Sequence, residues 1–177
     1  MVRIGWVGVG VMGHHMAGHL MKAGHSAAVF SRTAAKCQPL VEAGATLASS
    51  PREAAEGADV VFTMVGSPSD VKSVTLGADG VLAGLSKGAL LVDCTTSTPT
   101  LAMEVAESAA AQGVLALDAP VSGGDLGAKA GTLSIMCGGS KKAMDAARPF
   151  LAHLGRDEVI LHMGGAGAGQ HTKSASS

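Results

Sequence analysis

The segment Arg3-Ile4-Gly5-Trp6-Val7-Gly8-Val9-Gly10-Val11-Met12-Gly13 sets an apolar strand directly before glycines in G-x-G-x-x-G spacing. Behind it, Met12, Met16, Leu20 and Met21 recur at helical spacing. Strand, glycine turn and helix in that order leave few folds open, because each glycine has its own task. Gly8 permits the tight turn, Gly10 lets backbone approach a pyrophosphate, and Gly13 lets the helix pack on the strand. The helix N-terminus then presents amides to the phosphates. Gly8, Gly10, Val11, Met12 and Gly13 are therefore candidate dinucleotide contacts.

The rest of the chain repeats the alternation. Short Val/Ile/Leu-rich runs at 3–9, 26–31, 59–65, 89–94, 114–119, 132–138 and 158–163 read as strands, several of them apolar throughout, as strands covered on both faces should be. Between them, Ser50-Pro51-Arg52-Glu53 reads as a capping box with proline at the first helical position, and Ser67-Pro68-Ser69-Asp70 repeats it with aspartate. Gly24, Gly44 and Gly113 fall where helices should end, and 99–112 is Ala- and Glu-rich. The expected fold is α/β, a Rossmann-type doubly wound, mostly parallel sheet in one continuous domain.

The end of the second strand selects the dinucleotide. A site for NAD places an acid about 20 residues on, to hold the ribose 2′-hydroxyl, whereas an NADP site offers arginine and small hydroxyl residues to a 2′-phosphate. Here the strand ends Phe30-Ser31-Arg32-Thr33 without an acid, so Ser31, Arg32 and Thr33 are expected to favour NADP over NAD.

Composition narrows the partners. Thirteen basic side chains against fourteen acidic ones provide no basic stripe for a phosphate backbone, and 2% aromatics provide no base-stacking platform, so nucleic acid is excluded as an expected partner. Three scattered cysteines fit neither a disulfide framework nor a zinc spacing, and point to a reducing compartment. His15 and His19 stand four apart, but the residues between them lack the glutamate of H-E-x-x-H, and no metal is expected. Cys94, at the end of an apolar strand, reads as a buried structural thiol. No apolar run approaches the roughly 18 residues of a membrane span, and the strand pattern begins at residue 2. The expected compartment is the cytoplasm, or a mitochondrion or plastid if a leader precedes this sequence.

A further stretch, Asp118-Ala119-Pro120-Val121-Ser122-Gly123-Gly124, is foreign to generic dinucleotide-binding domains. With Gly8–Gly13, "VDCTTSTP" at 92–99, "GAKAGTLSIMCGG" at 127–139 and the glycine-spaced run from Gly164 to Lys173, it resembles the β-hydroxyacid dehydrogenases. The resemblance covers essentially the whole sequence. It implies that Ser122, Gly123 and Gly124 bind the substrate carboxylate, largely through backbone amides, and that Lys173 is the catalytic acid/base. It further implies that Thr96 lies near the nicotinamide ribose and that Met64, Val65 and Pro68 line the adenosine side of the cleft. The substrate it implies is a small carboxylate-bearing aldehyde or hydroxy acid, in full-length relatives that form homo-oligomers.

The pattern also departs from that family. An asparagine three or four residues beyond the lysine is replaced by Ser176 and Ser177. The family's C-terminal all-α domain is expected to be absent, leaving a dinucleotide-binding domain over 1–163 and, at 164–177, a glycine turn with the first turn of an interdomain helix. About one helical turn after Lys173 is too short to be stable alone, and it is expected to fray. Two functions are therefore carried forward. One is an NADP(H)-dependent oxidoreductase interconverting a small 3-hydroxy acid, glycolate or hydroxybutyrate with its aldehyde or semialdehyde. The other is a non-catalytic NADP-binding module or an inactive truncated product.

Overall fold

Apolar runs punctuated by glycine and proline set the element order in the computed structural model, which describes residues 1–176. The strands are β1 (Arg3–Val7), β2 (Ser26–Phe30), β3 (Thr46–Leu47), β4 (Val60–Thr63), β5 (Leu90–Asp93), β6 (Leu115–Asp118), β7 (Val121–Ser122), β8 (Leu133–Gly138) and β9 (Gly155–Gly164). The helices are α1 (Val11–Lys22), α2 (Gln38–Glu42), α3 (Pro51–Ala55), α4 (Pro68–Leu76), α5 (Val81–Gly84), α6 (Pro99–Ala111), α7 (Gly124–Ala130), α8 (Lys141–Leu151) and α9 (Ala168–Ser176). All the strands join one sheet in the order β3-β2-β1-β4-β5-β6-β8-β7, with β9 pairing β8. The run from β3 to β6 is parallel, β6 and β7 pair β8 antiparallel, and β9 returns parallel to β8.

Strand periodicity explains why both faces are dry. Ile4, Trp6, Val60, Phe62, Leu90 and Val92 enter the core on one face with Met16 and Leu20 of α1 and Met144 and Leu151 of α8. Val7, Val61 and Leu91 enter the other with Leu82, Leu101 and Val105. With few aromatics available, Trp6 and Phe62 stack at 5.3 Å between ring centroids and Phe150 meets Phe62 edge-on at 6.2 Å.

The seven sequence-predicted strands all form, six of them shorter than predicted and the last longer. β3 and β7 were not anticipated, because two residues carry no periodicity. β9 begins at Gly155 rather than 158, since Arg156, Asp157 and Glu158 are exposed on the edge and hide the apolar pattern. Both proline caps form: Ser50 Oγ accepts from the Glu53 amide at 3.0 Å and Ser67 Oγ from the Asp70 amide at 3.2 Å, each worth about 1 kcal/mol. The reciprocal half of the capping box does not close as expected. The Glu53 carboxylate turns to Ser49, and that of Asp70 turns to Arg32.

Candidate functional site

Sheet order locates the first part of the site. Between β1 and β4 the chain reverses direction across the sheet, and the crevice outside the strand ends at such a point is where doubly wound sheets take ligands. A cavity of about 460 Å³ opens there, lined by the glycine turn, Ser31, Arg32, Thr33, Met64 and Val65 among others.

The three glycines differ in what surrounds them. Gly8 has φ +103° and accommodates no side chain, because a Cβ would collide with the Met64 carbonyl oxygen. A Cβ on Gly13 would strike the Gly8 carbonyl oxygen. A Cβ on Gly10 would meet nothing within 4 Å, so its absence leaves backbone bare toward the crevice. No side chain caps α1 and no acid stands in its first turn, so its leading amides remain available to an anion. These features suit a dinucleotide pyrophosphate.

At the β2 end, Arg32 is mostly exposed and forms a forked pair with Asp70, Nη1 to Oδ1 at 3.3 Å and Nη2 to Oδ2 at 3.4 Å. Lys36 also lines the cavity, a second cation the sequence reading did not include. Pro68, at the start of α4, and Thr96, beyond β5, are exposed and do not line this cavity. The Thr96 neighbour, Thr95, is buried instead, and its Oγ1 accepts from the Val65 amide at 3.0 Å.

The second part lies across the sheet. Gly123 and Gly124 have φ of +138° and +61°, a pair of conformations that β-carbons disfavour, and their turn carries Ser122 into the first turn of α7. Lys173, 51 residues away, reaches Ser122: its Nζ donates to Ser122 Oγ at 2.6 Å. Helix α9 begins at Ala168, five residues before this lysine, rather than at the lysine itself. Its leading end is held. Asp118 Oδ1 accepts from the Gly167 amide at 2.9 Å and Oδ2 from the Gln170 amide at 3.0 Å, while the fully buried Gln170 side chain donates to the Thr95 carbonyl at 2.7 Å and accepts from the Ser97 amide at 2.8 Å. Ser176 Oγ donates to the Lys173 carbonyl; Ser177 lies outside the described residues.

Two acids sit beneath this arrangement. Asp93 and Asp118 are register partners at the ends of β5 and β6. Burial raises Asp93 to about 6, against the pull of bonds from Thr63 and Thr95. Burial likewise raises Asp118, while the amides of Gly167 and Gln170 pull it back. Neither acid nor Gln170 is among the site residues to which the sequence motifs point. The signal available was an acid closing each of two apolar strands, which cannot be buried without donors.

A family model for the NAD binding domain of 6-phosphogluconate dehydrogenase matches residues 3–164. Over 174 residues the chain is 49% identical to a probable 3-hydroxyisobutyrate dehydrogenase-like protein, mitochondrial, of Arabidopsis thaliana, covering 98% of this chain and 51% of that one.

The chain belongs to the β-hydroxyacid dehydrogenase family.

A second member of the family, the 3-hydroxyisobutyrate dehydrogenase of Pseudomonas aeruginosa, is 47% identical over 173 residues, covering 98% of this chain and 57% of the relative. The solved structure of Mycobacterium tuberculosis 3-hydroxyisobutyrate dehydrogenase with L-serine superposes with a TM-score of 0.91 at 37% identity, over 99% of this chain and 59% of that one. The chain thus spans about half the length of the curated relatives it matches. Its fold is the NAD(P)-binding domain of the β-hydroxyacid dehydrogenases. Among the described residues no helix is long and apolar enough to cross a membrane.

Proposed function

We propose that this chain binds NADP(H) and carries the proton-transfer group of an oxidoreductase that interconverts a small 3-hydroxy acid, or glycolate or hydroxybutyrate, with its aldehyde or semialdehyde. The observation that carries the reading is the 2.6 Å bond from Lys173 Nζ to Ser122 Oγ, which joins two sequence motifs 51 residues apart. Ser122 Oγ and the amides of Gly123 and Gly124 receive the substrate carboxylate, since a turn of successive amides makes an anion-binding concavity. Lys173 then faces the oxygen one or two carbons away. Its ammonium gives a proton to a carbonyl oxygen in reduction, and its amine takes one from a hydroxyl in oxidation. The bound nicotinamide gives or receives the hydride. A lysine so close to the carboxylate site favours short substrates, and L-serine accompanies the mycobacterial relative.

The preference for NADP(H) over NAD(H) rests on Ser31, Arg32, Thr33 and Lys36 around the end of β2, a strand that itself ends without the acid that would hold a 2′-hydroxyl. Met64 and Val65 line the adenosine side with Pro68 nearby, and Thr96 stands toward the nicotinamide ribose. Fluorescence titration with NADPH and NADH, repeated on Arg32→Asp, tests the preference: the NADPH dissociation constant should rise far more than that for NADH, and equal rises refute it. An assay on 3-hydroxyisobutyrate, L-serine, glyoxylate and succinic semialdehyde, with Lys173→Met as control, tests the chemistry. Cofactor binding without turnover supports the alternative, a non-catalytic dinucleotide-binding module.

A further inference from the structure

Lys173 can serve its role only if something holds its helix against the Ser122 turn, and Ser122 and Lys173 stand on different elements. One residue links the segment of Ser122 to the helix of Lys173. Asp118 closes β6, four residues before Ser122 in the same segment, and its two oxygens take the amides of Gly167 and Gln170 at the leading end of α9. A carboxylate at that position also faces the positive end of the helix dipole. The close approach depends on missing side chains: a Cβ on Gly138 would lie 2.7 Å from the Gly169 amide nitrogen and 2.8 Å from Asp118 Oδ1, and one on Gly169 would lie 2.9 Å from Asp118 Oδ2. Gln170 supplies the second fastening. Its side-chain amide spans from the Thr95 carbonyl to the Ser97 amide, tying the same helical turn to the loop that leaves β5.

We infer that Asp118 and Gln170 are positioning residues that seat α9 on the ends of β5 and β6 and thereby set the register of Lys173 against Ser122. The inference rests on the proposed proton-transfer role of Lys173, but its structural content is independent of the cofactor. Asp118 holds the helix by two oxygens through backbone donors, so it fixes rotation about the helix axis as well as height. Gln170, three residues before Lys173 and so about 60° from it around the helix, pins the turn from which the half-buried lysine projects. Neither group needs to touch substrate.

The test reads local order and global stability separately on the intact 177-residue chain. In the wild-type protein, hydrogen exchange should show the Gly167 and Gln170 amides protected well beyond those of exposed turns; exchange at turn rates overturns the proposal. Reductive methylation, read by mass spectrometry, is then compared at Lys173 and at the exposed Lys22 and Lys142. In Asp118→Asn, where an amide nitrogen replaces one acceptor oxygen, Lys173 should be modified about fivefold or more faster relative to those references, with faster exchange confined to 167–176. Gln170→Leu should show a smaller rise, about threefold, and it answers the question should Asp118→Asn fail to fold. A lowered melting temperature with the Lys173 ratio unchanged in a folded variant means that the groups are merely structural, and overturns the proposal. NADPH titration of the same variants should give dissociation constants within about twofold of wild type. Failure of the wild type to bind NADPH defeats the cofactor reading and leaves the lysine measurement standing.

Discussion

Asp70 occupies an unexpected place for an acid: it lines the cavity in which a 2′-phosphate is proposed to sit, and it holds the arginine proposed to receive it. A dinucleotide with a bare 2′-hydroxyl can leave the Arg32–Asp70 pair intact, whereas a 2′-phosphate must share or displace it. The Arg32 side chain is 79% exposed and that of Asp70 22%, so solvent screens most of their attraction. Measured pairs of this exposure are worth about 0.2–1 kcal/mol, which caps the gain from removing the competitor at about fivefold in affinity. Asp70→Asn is therefore expected to tighten NADPH binding by about two- to fivefold while leaving NADH within error. The Asp70 amide still donates to Ser67 after the change, so the start of α4 should persist. Quenching titrations at low and high salt provide the assay, and the gain should shrink as salt screens the pair. Equal tightening of both cofactors, or weaker NADPH binding, refutes the competition argument.

Other perturbations separate folding from binding. Gly10→Ala should unfold at nearly the wild-type temperature yet weaken NADPH by tenfold or more, because its Cβ points into open crevice; calorimetric melting paired with titration checks the split. Gly13→Ala should lose stability as well as binding, its Cβ striking the Gly8 carbonyl, and a wild-type melting temperature would contradict the close helix approach. Asp93, raised from the ordinary 3.8 to about 6, binds its proton more tightly folded than unfolded. Its contribution to stability is thus fully present below about pH 4 and is lost as pH rises through about 6, by up to about 3 kcal/mol. Denaturant melts across that window should show this slope, and Asp93→Asn should flatten it.

The strands were legible because burial on both faces demands apolar runs, as at Val60–Thr63 and Leu90–Asp93, where every residue is buried. The helix starts at Ser50 and Ser67 were legible because capping is local chemistry. What sequence could not show is where the second partner of each polar group lies. Glu53 prefers Ser49, Arg32 finds Asp70 across the cleft, and Asp118 finds amides 49 and 52 residues on. For the same reason Lys173 read as a residue on a fraying turn. The groups that seat its helix come from β6 and from the loop after β5, not from the residues that follow it. The roles proposed for Ser122 and Lys173 rest on motif resemblance, and their proximity rests on the fold.

The chain contains one tryptophan, and the fold sets it where a spectroscopist would choose. Trp6 is fully buried in β1, stacked on Phe62, and its indole Nε1 donates at 3.0 Å to the carbonyl of Gly8, the first glycine of the turn before α1. Emission from this single indole therefore carries a site-specific signal without any label. Energy transfer from it to a reduced nicotinamide would register occupancy of the crevice, and its wavelength would register whether the turn beneath stays dry. The ring that fills the core also makes the protein its own optical gauge.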